Sequence, residues 1–514
     1  MNKDSKNATI NAFVILVTMV SALSIVANGL VKPLAHDEQM YCTGGVLLSR
    51  GLMIYRDFSY VAQMPYHPLL CAALFRLLGT THYLLAARML SCACDIMVVV
   101  FIIQIFRGVL GGRSTAAALA GGSAAILYAM NPAVVYSNGF AWNHDVVIFC
   151  VVFALRLMVL ERQAGRRDLF FTALAGFLLT FAIFTRITTV LAFILFSVSV
   201  LWAAAGSFKQ GFFRKALPYA AGSLAAAVWP LVTILAAPRA FFLNVFRIPV
   251  LNSRFLHEAG MTYDKMDVIA AYITTLPYLA LLVAAAYLWF KAVLHRSPVA
   301  PADRPVLWLA ALLPAVFFGI ALLPPTMWGQ YMALPVPFLA IGLAVPLYHL
   351  RHTEGDTAKC CTVVILCAVI ALLSNLAVVA RIGKLREPDT WAPLRVHAIA
   401  RDIAAGCRFD GPVLTLAPLY ALEGGCDIYP ELSAGPFVYR ISGLLDAEEL
   451  ETVRSASAEK IKAVVQRRPP AAVVLGAEPA FMEQGLFRAA VGIGSGWNRQ
   501  DYPGGITAFF APPP

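Results

Sequence analysis

The 514-residue chain is poor in charge: Asp, Glu, Lys and Arg make up 13% of it against 60% hydrophobic residues, and its mean hydropathy is +0.72. A soluble protein of this length needs far more charge to cover its surface, so a wholly soluble fold is excluded. Its ten cysteines include no CxxC paired with a second CxxC, which removes a zinc-binding reading. A Gly-rich phosphate-binding loop is missing, and so is any internal repeat or low-complexity segment beyond the Pro-rich terminus. The net charge of +11 does not point to nucleic acid. From residue 383 onward there are 13 Lys/Arg against 15 Asp/Glu, so the excess of basic residues lies in the apolar part, with no basic cluster on a soluble domain.

What is present is a series of apolar runs of about twenty residues, the length an α-helix needs to cross a bilayer's hydrocarbon core. Helices are required there because lipid offers the backbone no hydrogen-bond partner. The first run, Ala12 to Val31, follows Lys3 and Lys6. It is too long for a signal peptide, no convincing Ala-x-Ala site follows, and it reads as a span entering from the cytoplasm. Ten more spans are expected near residues 83–106, 115–135, 142–160, 169–185, 188–204, 216–237, 268–290, 306–323, 331–348 and 360–380. The run from Pro68 to Leu78 covers only about 16 Å as a helix and is predicted to lie at the membrane surface.

Parity tests this choice. Short loops on one side carry Arg107/Arg113, Arg162/Arg166/Arg167, Lys209/Arg214/Lys215, Lys291/Arg296/Arg304 and Arg351/Lys359, whereas those on the other side carry Arg186 or no basic residue. The basic side is therefore expected to be cytoplasmic, its charge also meeting anionic lipid, and counting 68–78 as a span would invert every later loop. The predicted fold class is an α-helical polytopic protein of the inner (plasma) membrane with about eleven spans and a small C-terminal α/β domain in the periplasm. The expected division is a transmembrane domain over 1–382, with extracytoplasmic loops at 32–82 and 238–267, and an extracytoplasmic domain over 383–514. In the latter, β-like runs at Pro412–Leu416, Ala471–Leu475 and Ile506–Phe510 alternate with helical stretches such as Asp446–Gln466. Cys407 and Cys426 fall in this tail, where an oxidising compartment would allow them to pair.

Candidate chemistry gathers in the first loop. His36-Asp37-Glu38 is followed by a helix-like stretch, Gly44–Gly51, then Tyr55-Arg56-Asp57-Phe58 and Tyr66-His67-Pro68. Adjacent carboxylates at a membrane surface can bind a metal, orient a sugar or take a proton from a hydroxyl; solvated loop charge is the plain alternative. Asp145, in Asn143-His144-Asp145 at the head of a span, is costly unless solvated or paired. Arg186 offers a planar fork of donors suited to phosphate, against the alternative of snorkelling to headgroups. The second long loop carries Arg247, Asn252, Arg254, His257 and Glu258, and Tyr331 opens a later span beside Trp328.

The order of Asp37-Glu38, a helix, Tyr55-Arg56-Asp57-Phe58, a Pro-rich turn and Phe75-Arg76-Leu77-Leu78-Gly79 resembles the first loop of GT-C type glycosyltransferases. That superfamily includes the protein O-mannosyltransferases and the lipid A aminoarabinose transferase. The likeness is clearest over residues 33–190, and the turn here reads Met64-Pro65-Tyr66-His67-Pro68 where the family has a Pro-Pro pair. It implies an enzyme moving a sugar from a polyprenyl-phosphate carrier to an acceptor hydroxyl of a lipid, glycan or protein, inverting the anomeric centre. Asp37 and Glu38 are the implied catalytic carboxylates. Arg186, Arg247 and Arg254 are expected at the donor phosphate, with His67, Asp145 and Tyr331 positioning the donor. No motif demands a cofactor; if a divalent metal is used, Asp37, Glu38 and Asp145 are its expected ligands. A transporter or flippase of a lipid-linked glycan is the rival reading, disfavoured by the lack of repeated halves.

Overall fold

A computed structural model of the chain describes residues 3–111, 114–164, 168–205, 211–295, 298–491 and 496–512. Arg113, Arg166, Arg167, Lys209 and Arg296 lie outside the described residues, as do the side chains of Lys3, Lys6 and Arg162. The chain opens with helices α1 (Lys3–Val31), α2 (His36–Ser49), α3 (Tyr66–Leu78), α4 (Tyr83–Val109) and α5 (Thr115–Ala129). It continues through α6 (Pro132–Ser137), α7 (His144–Ala164), α8 (Asp168–Ile183) and α9 (Val190–Ala205). The later long helices are Leu217–Ala236, Leu276–Leu294, Arg304–Leu322 and Glu354–Ser374, with a broken segment over Gly329–Leu350. Among the described residues eight helices are long and apolar enough to cross a membrane. Helices α5, α7 and α8 occupy the other three expected positions.

Where boundaries differ from expectation, proline and capping chemistry account for it. The run expected over 115–135 breaks at Asn131, whose side chain accepts from Ala133 N ahead of Pro132. The run over 268–290 divides into Lys265–Ile273 and Leu276–Leu294, with Pro277 in the first turn of the second helix. Prolines 335 and 337 interrupt the segment that begins at Gly329. Helix α3 is 13 residues long, about 20 Å, and too short to span. It packs flat on α2: a Cβ on Gly45 would stand 2.6 Å from Cys71 Cβ, so only glycine allows this approach.

The tail forms a four-stranded sheet in the order β1 (Val413–Leu414), β2 (Ala472–Leu475), β4 (Thr507–Phe510), β3 (Asn498–Asp501). Strands β1 and β2 run parallel, and the other pairs are antiparallel. Strand β3 was not expected, because its Asn-Arg-Gln-Asp sequence is wholly exposed and has no apolar alternation. The stretch expected as one helix over Asp446–Gln466 is two, Ala447–Thr452 and Ile461–Arg467, parted near Arg454 at φ 52°.

The first loop is sandwiched between the bundle and the tail. Cys42, Val46 and Phe75 share a core with Val396, Leu419 and Phe510, while Tyr41, Tyr55 and Phe58 share another with Leu243, Ile248 and Val438. Leu419 N donates to Gln39 Oε1 at 2.9 Å, and Leu84 N donates to Glu423 Oε1 at 2.6 Å.

Beneath that loop lies a buried ion pair. Arg88, on α4, is fully buried and uses five N–H bonds: two to the Glu38 carboxylate at 2.8 and 2.6 Å, and one each to the carbonyls of Gly29, Lys32 and Pro33 at 2.7–2.9 Å. Glu38 also accepts from Ala35 N at 2.9 Å and Ala141 N at 2.8 Å. This pairing starts α2 at His36 rather than Gly44, since an acidic first turn caps the helix and opposes its positive end. Leaving one buried partner uncompensated costs about 3–5 kcal/mol. Glu38→Gln and Arg88→Met are each expected to lower the thermal midpoint in detergent sharply, and the Glu38→Leu/Arg88→Met double variant to lose less than the sum of the two. Single variants melting with the wild type would show that the pair does not hold the loop.

Candidate active site

Helix α2 presents its two carboxylates to different surroundings. Glu38 is fully buried in the ion pair, whereas Asp37 is half-buried at the rim of the loop. Asp37 stands within electrostatic reach of Tyr41 and His36 on its own helix, Tyr136 of α6, Tyr331, and Arg440 of the tail. Burial pushes its pKa above the ordinary carboxylate value, against the opposing charges of His36 and Arg440.

The cationic side of the site is built at the α8–α9 turn. Arg186 follows Thr185 with φ −150°, an extended residue that heads the turn Ile187–Thr189. Its Nη1 lies 2.6 Å from Nε2 of His144, and its guanidinium carbon is 4.8 Å from the centre of the Tyr331 ring. Because an arginine only donates, His144 Nε2 is the acceptor and the imidazole is neutral, with its proton on Nδ1. The His144 and Tyr331 rings stack at 5.9 Å. Asn143 ties these parts together, donating to Gln63 Oε1 at 2.6 Å and to the Thr185 carbonyl at 3.1 Å. His67 is fully buried, edge-on to Tyr41 at 4.9 Å, and burial lowers its pKa to about 3, so it is neutral at any physiological pH.

Asp37, Tyr41, His67, Arg186 and Tyr331 thus gather at one end of the bundle, and four expected site residues fall elsewhere. All four bonds of Glu38 are spent on Arg88 and two backbone amides, leaving it no lone pair for an acceptor hydroxyl. Asp145 is buried behind the site, accepting from Gly139 N at 3.2 Å within reach of Lys32 and Asp95. Arg254 pairs with Glu258 on an exposed helix surface at 2.7 Å, and Arg247 lies 3.5 Å from Glu449 of the tail. Among the described residues no three His, Cys, Asp or Glu side chains come together as a metal site, so the trio Asp37, Glu38 and Asp145 is not assembled. Cys407 and Cys426 are free thiols within hydrogen-bonding reach of each other.

Three contributors escaped the sequence reading: His144, Arg440 and Arg88. The first stood beside the Asp145 that drew attention, and its partner Arg186 lies 42 residues away. Beside the start of α2 a cleft of about 290 Å³ separates the loop from the tail, with His36, Gln39, Arg395, Tyr420 and Glu478 on its walls.

No known protein-family profile matches the chain, and no curated protein does. Among solved structures, ArnT from Cupriavidus metallidurans in the apo state superposes with a TM-score of 0.63 at 13% identity, covering 97% of this chain and 98% of that one. The same protein bound to undecaprenyl phosphate gives 0.58 at 14% identity, with 98% of each chain covered. The apo oligosaccharyltransferase of Archaeoglobus fulgidus gives 0.51 at 11% identity over 94% of this chain and 71% of that one. At these identities the likeness is one of architecture: the chain has the fold of the GT-C type membrane glycosyltransferases.

Proposed function

We propose that this chain is a membrane glycosyltransferase that moves a sugar from a polyprenyl-phosphate carrier to an acceptor hydroxyl. The observation that carries the reading is a half-buried carboxylate, Asp37, within electrostatic reach of Tyr331, itself part of an Arg186–His144–Tyr331 cluster at the loop end of this fold. We assign that end to the extracytoplasmic side of the inner membrane. The assignment follows from the placement of Arg107, Lys291, Arg304, Arg351 and Lys359 on the opposite short loops.

The acceptor's hydroxyl proton passes to Asp37. The acceptor oxygen forms its bond to the anomeric carbon as the carbon–oxygen bond to phosphate breaks on the opposite face, inverting the centre. The electron pair leaves with the phosphate, whose charge Arg186 meets with its planar donors while Tyr331 backs the guanidinium. Neutral His144 holds that guanidinium without competing for its charge. Glu38 acts through α2, fixing the turn that bears Asp37. Arg247, Arg254 and Asp145 take no step in this scheme.

The test uses purified protein in lipid with polyprenyl-phosphate sugars and a membrane extract as acceptor source, following release of free polyprenyl phosphate. Asp37→Asn is expected to lower turnover by roughly 10²–10⁴-fold. Arg186→Ala is expected to lower kcat by about 10²–10³-fold. Full turnover in Asp37→Asn removes the base; folded wild type that turns over no donor removes the transferase.

The pH profile supplies a second check. A base whose pKa is raised by burial loses its ionised form at a higher pH than a solvated aspartate does. The acid limb of kcat/KM is therefore expected above about 3.9, the value of an unperturbed aspartate. A limb at or below that value contradicts a buried base.

A further inference from the structure

Cys407 and Cys426 of the tail are half-buried, whereas the other cysteines, Cys42 and Cys71 of the first loop among them, are buried. Cys407 follows the helix Ala392–Gly406 in an extended conformation, at φ −68° and ψ 124°, and its Sγ lies 3.4 Å from the Ile403 carbonyl oxygen. Cys426 follows the short helix Leu419–Leu422 and a turn that passes through Gly425 at φ 89°. Its N donates to the Ala421 carbonyl at 3.1 Å, which fixes the end of that turn.

The two backbones are pressed together beside these residues. A Cβ on Gly424 would overlap the Ala400 carbonyl and stand 3.0 Å from Ala404 Cβ, so only glycine allows the turn to sit on the helix. A Cβ on Gly406 would likewise overlap the Phe510 ring, which holds the helix end against the sheet. With Gly424 seated on Ala404, the cysteines that follow each of them come side by side. Their thiols are within hydrogen-bonding reach, and both pack against the core that contains Val396, Leu419 and Phe510.

The turn that ends in Cys426 is also where the tail grips the first loop. Leu419 N donates to Gln39 Oε1 at 2.9 Å, and Glu423 accepts from Leu84 N at 2.6 Å. His397, on the helix that ends before Cys407, lies 3.3 Å from the same Glu423 carboxylate. A bond between the two sulfurs would therefore tie together the two tail elements that meet at this grip.

We propose that Cys407 and Cys426 form a disulfide site, closed by thiol–disulfide exchange with a disulfide-bearing oxidant, which staples the helix Ala392–Gly406 to the turn that grips the first loop. One cysteine, as its thiolate, attacks a sulfur of the oxidant, and the other sulfur leaves with the electron pair and takes up a proton. The second cysteine gives up its proton, attacks the resulting mixed disulfide at the first cysteine's sulfur, and expels the remaining half of the oxidant as a thiol. The pair loses two thiol hydrogens, and the oxidant is reduced to two thiols. Cys42 and Cys71 are buried in the loop core, where no oxidant reaches them. The inference rests on the tail lying on the extracytoplasmic side, because a reducing cytoplasm would keep both thiols open.

The experiment uses the full-length protein. Cells are quenched in acid, free thiols are alkylated, and the digest is read by mass spectrometry without reduction; purified protein in lipid is treated in parallel with glutathione disulfide. A cross-linked Cys407–Cys426 peptide is expected from both preparations and not from Cys407→Ser, with Cys42 and Cys71 alkylated only after denaturation. Reduction is expected to lower the thermal midpoint by several degrees, to that of the C407S/C426S double variant, because the cross-link restricts the unfolded chain. Two alkylated thiols in both preparations overturn the proposal. Thiols that close with glutathione disulfide but are found alkylated in cells overturn it too, and with it the extracytoplasmic assignment of the tail. A cross-link in protein that transfers no sugar supports the site, and only the transferase reading then falls.

Discussion

The buried pair of Glu38 and Arg88 is the constraint on which the loop end of this molecule depends. Neither charge has access to water, and each is tolerable only because the other is bound bidentately and every remaining donor of Arg88 finds a carbonyl. The pair also joins four segments. Arg88 comes from α4, the Gly29, Lys32 and Pro33 carbonyls from the end of α1 and the link beyond it, Glu38 from α2, and Ala141 from the turn before α7. Neighbouring residues on a helix diverge by about 100°. Fixing Glu38 into the bundle leaves its neighbour Asp37 half-buried on another face of the helix, so one carboxylate anchors the helix that presents the other.

The same division of labour appears at the head of α7. His144 faces Arg186 and Tyr331, while Asp145 turns to Gly139, Lys32 and Asp95. Lys32 holds the intervening turn, its ammonium donating to the carbonyls of Tyr136 and Asn138 at 2.9 and 2.6 Å. Burial lowers its pKa to about 7, a sign of how little solvent reaches this turn. In both helices an anchoring acid sits next in sequence to a group that faces the site.

The tail is part of the same construction. Its apolar residues complete cores begun by the first loop, and its polar ones close bonds with Gln39, Leu84 and Asn252. A loop of this length, rich in tyrosine, would not hold one geometry against lipid alone. It does so because the second loop also reaches it, with Asn244 accepting from Ser59 at 2.6 Å and its carbonyl accepting from Ala62 N at 2.9 Å.

Membrane architecture was legible in the sequence because it rests on local facts. Apolar run length decides whether a helix can span, and three of the tail's strands announced themselves as short apolar runs. The edge strand Asn498–Asp501 did not, since its identity comes from pairing with β4 and not from its own side chains. Asp37, His67, Arg186 and Tyr331 could be nominated because each is a polar or aromatic residue where apolar ones are the norm. Which member of an adjacent pair faces the site, Asp37 or Glu38, His144 or Asp145, could not be read, because that depends on partners 50 and 42 residues away. Arg440 was hidden for the same reason, reaching across from the tail to an asparagine 188 residues earlier. The sequence by itself determined which helices are long and apolar enough to span and a short roster of chemical groups. Tertiary structure alone decided which of those groups is buried as an anchor and which is left at the rim of the loop, because a buried charge takes its role from the partner that compensates it.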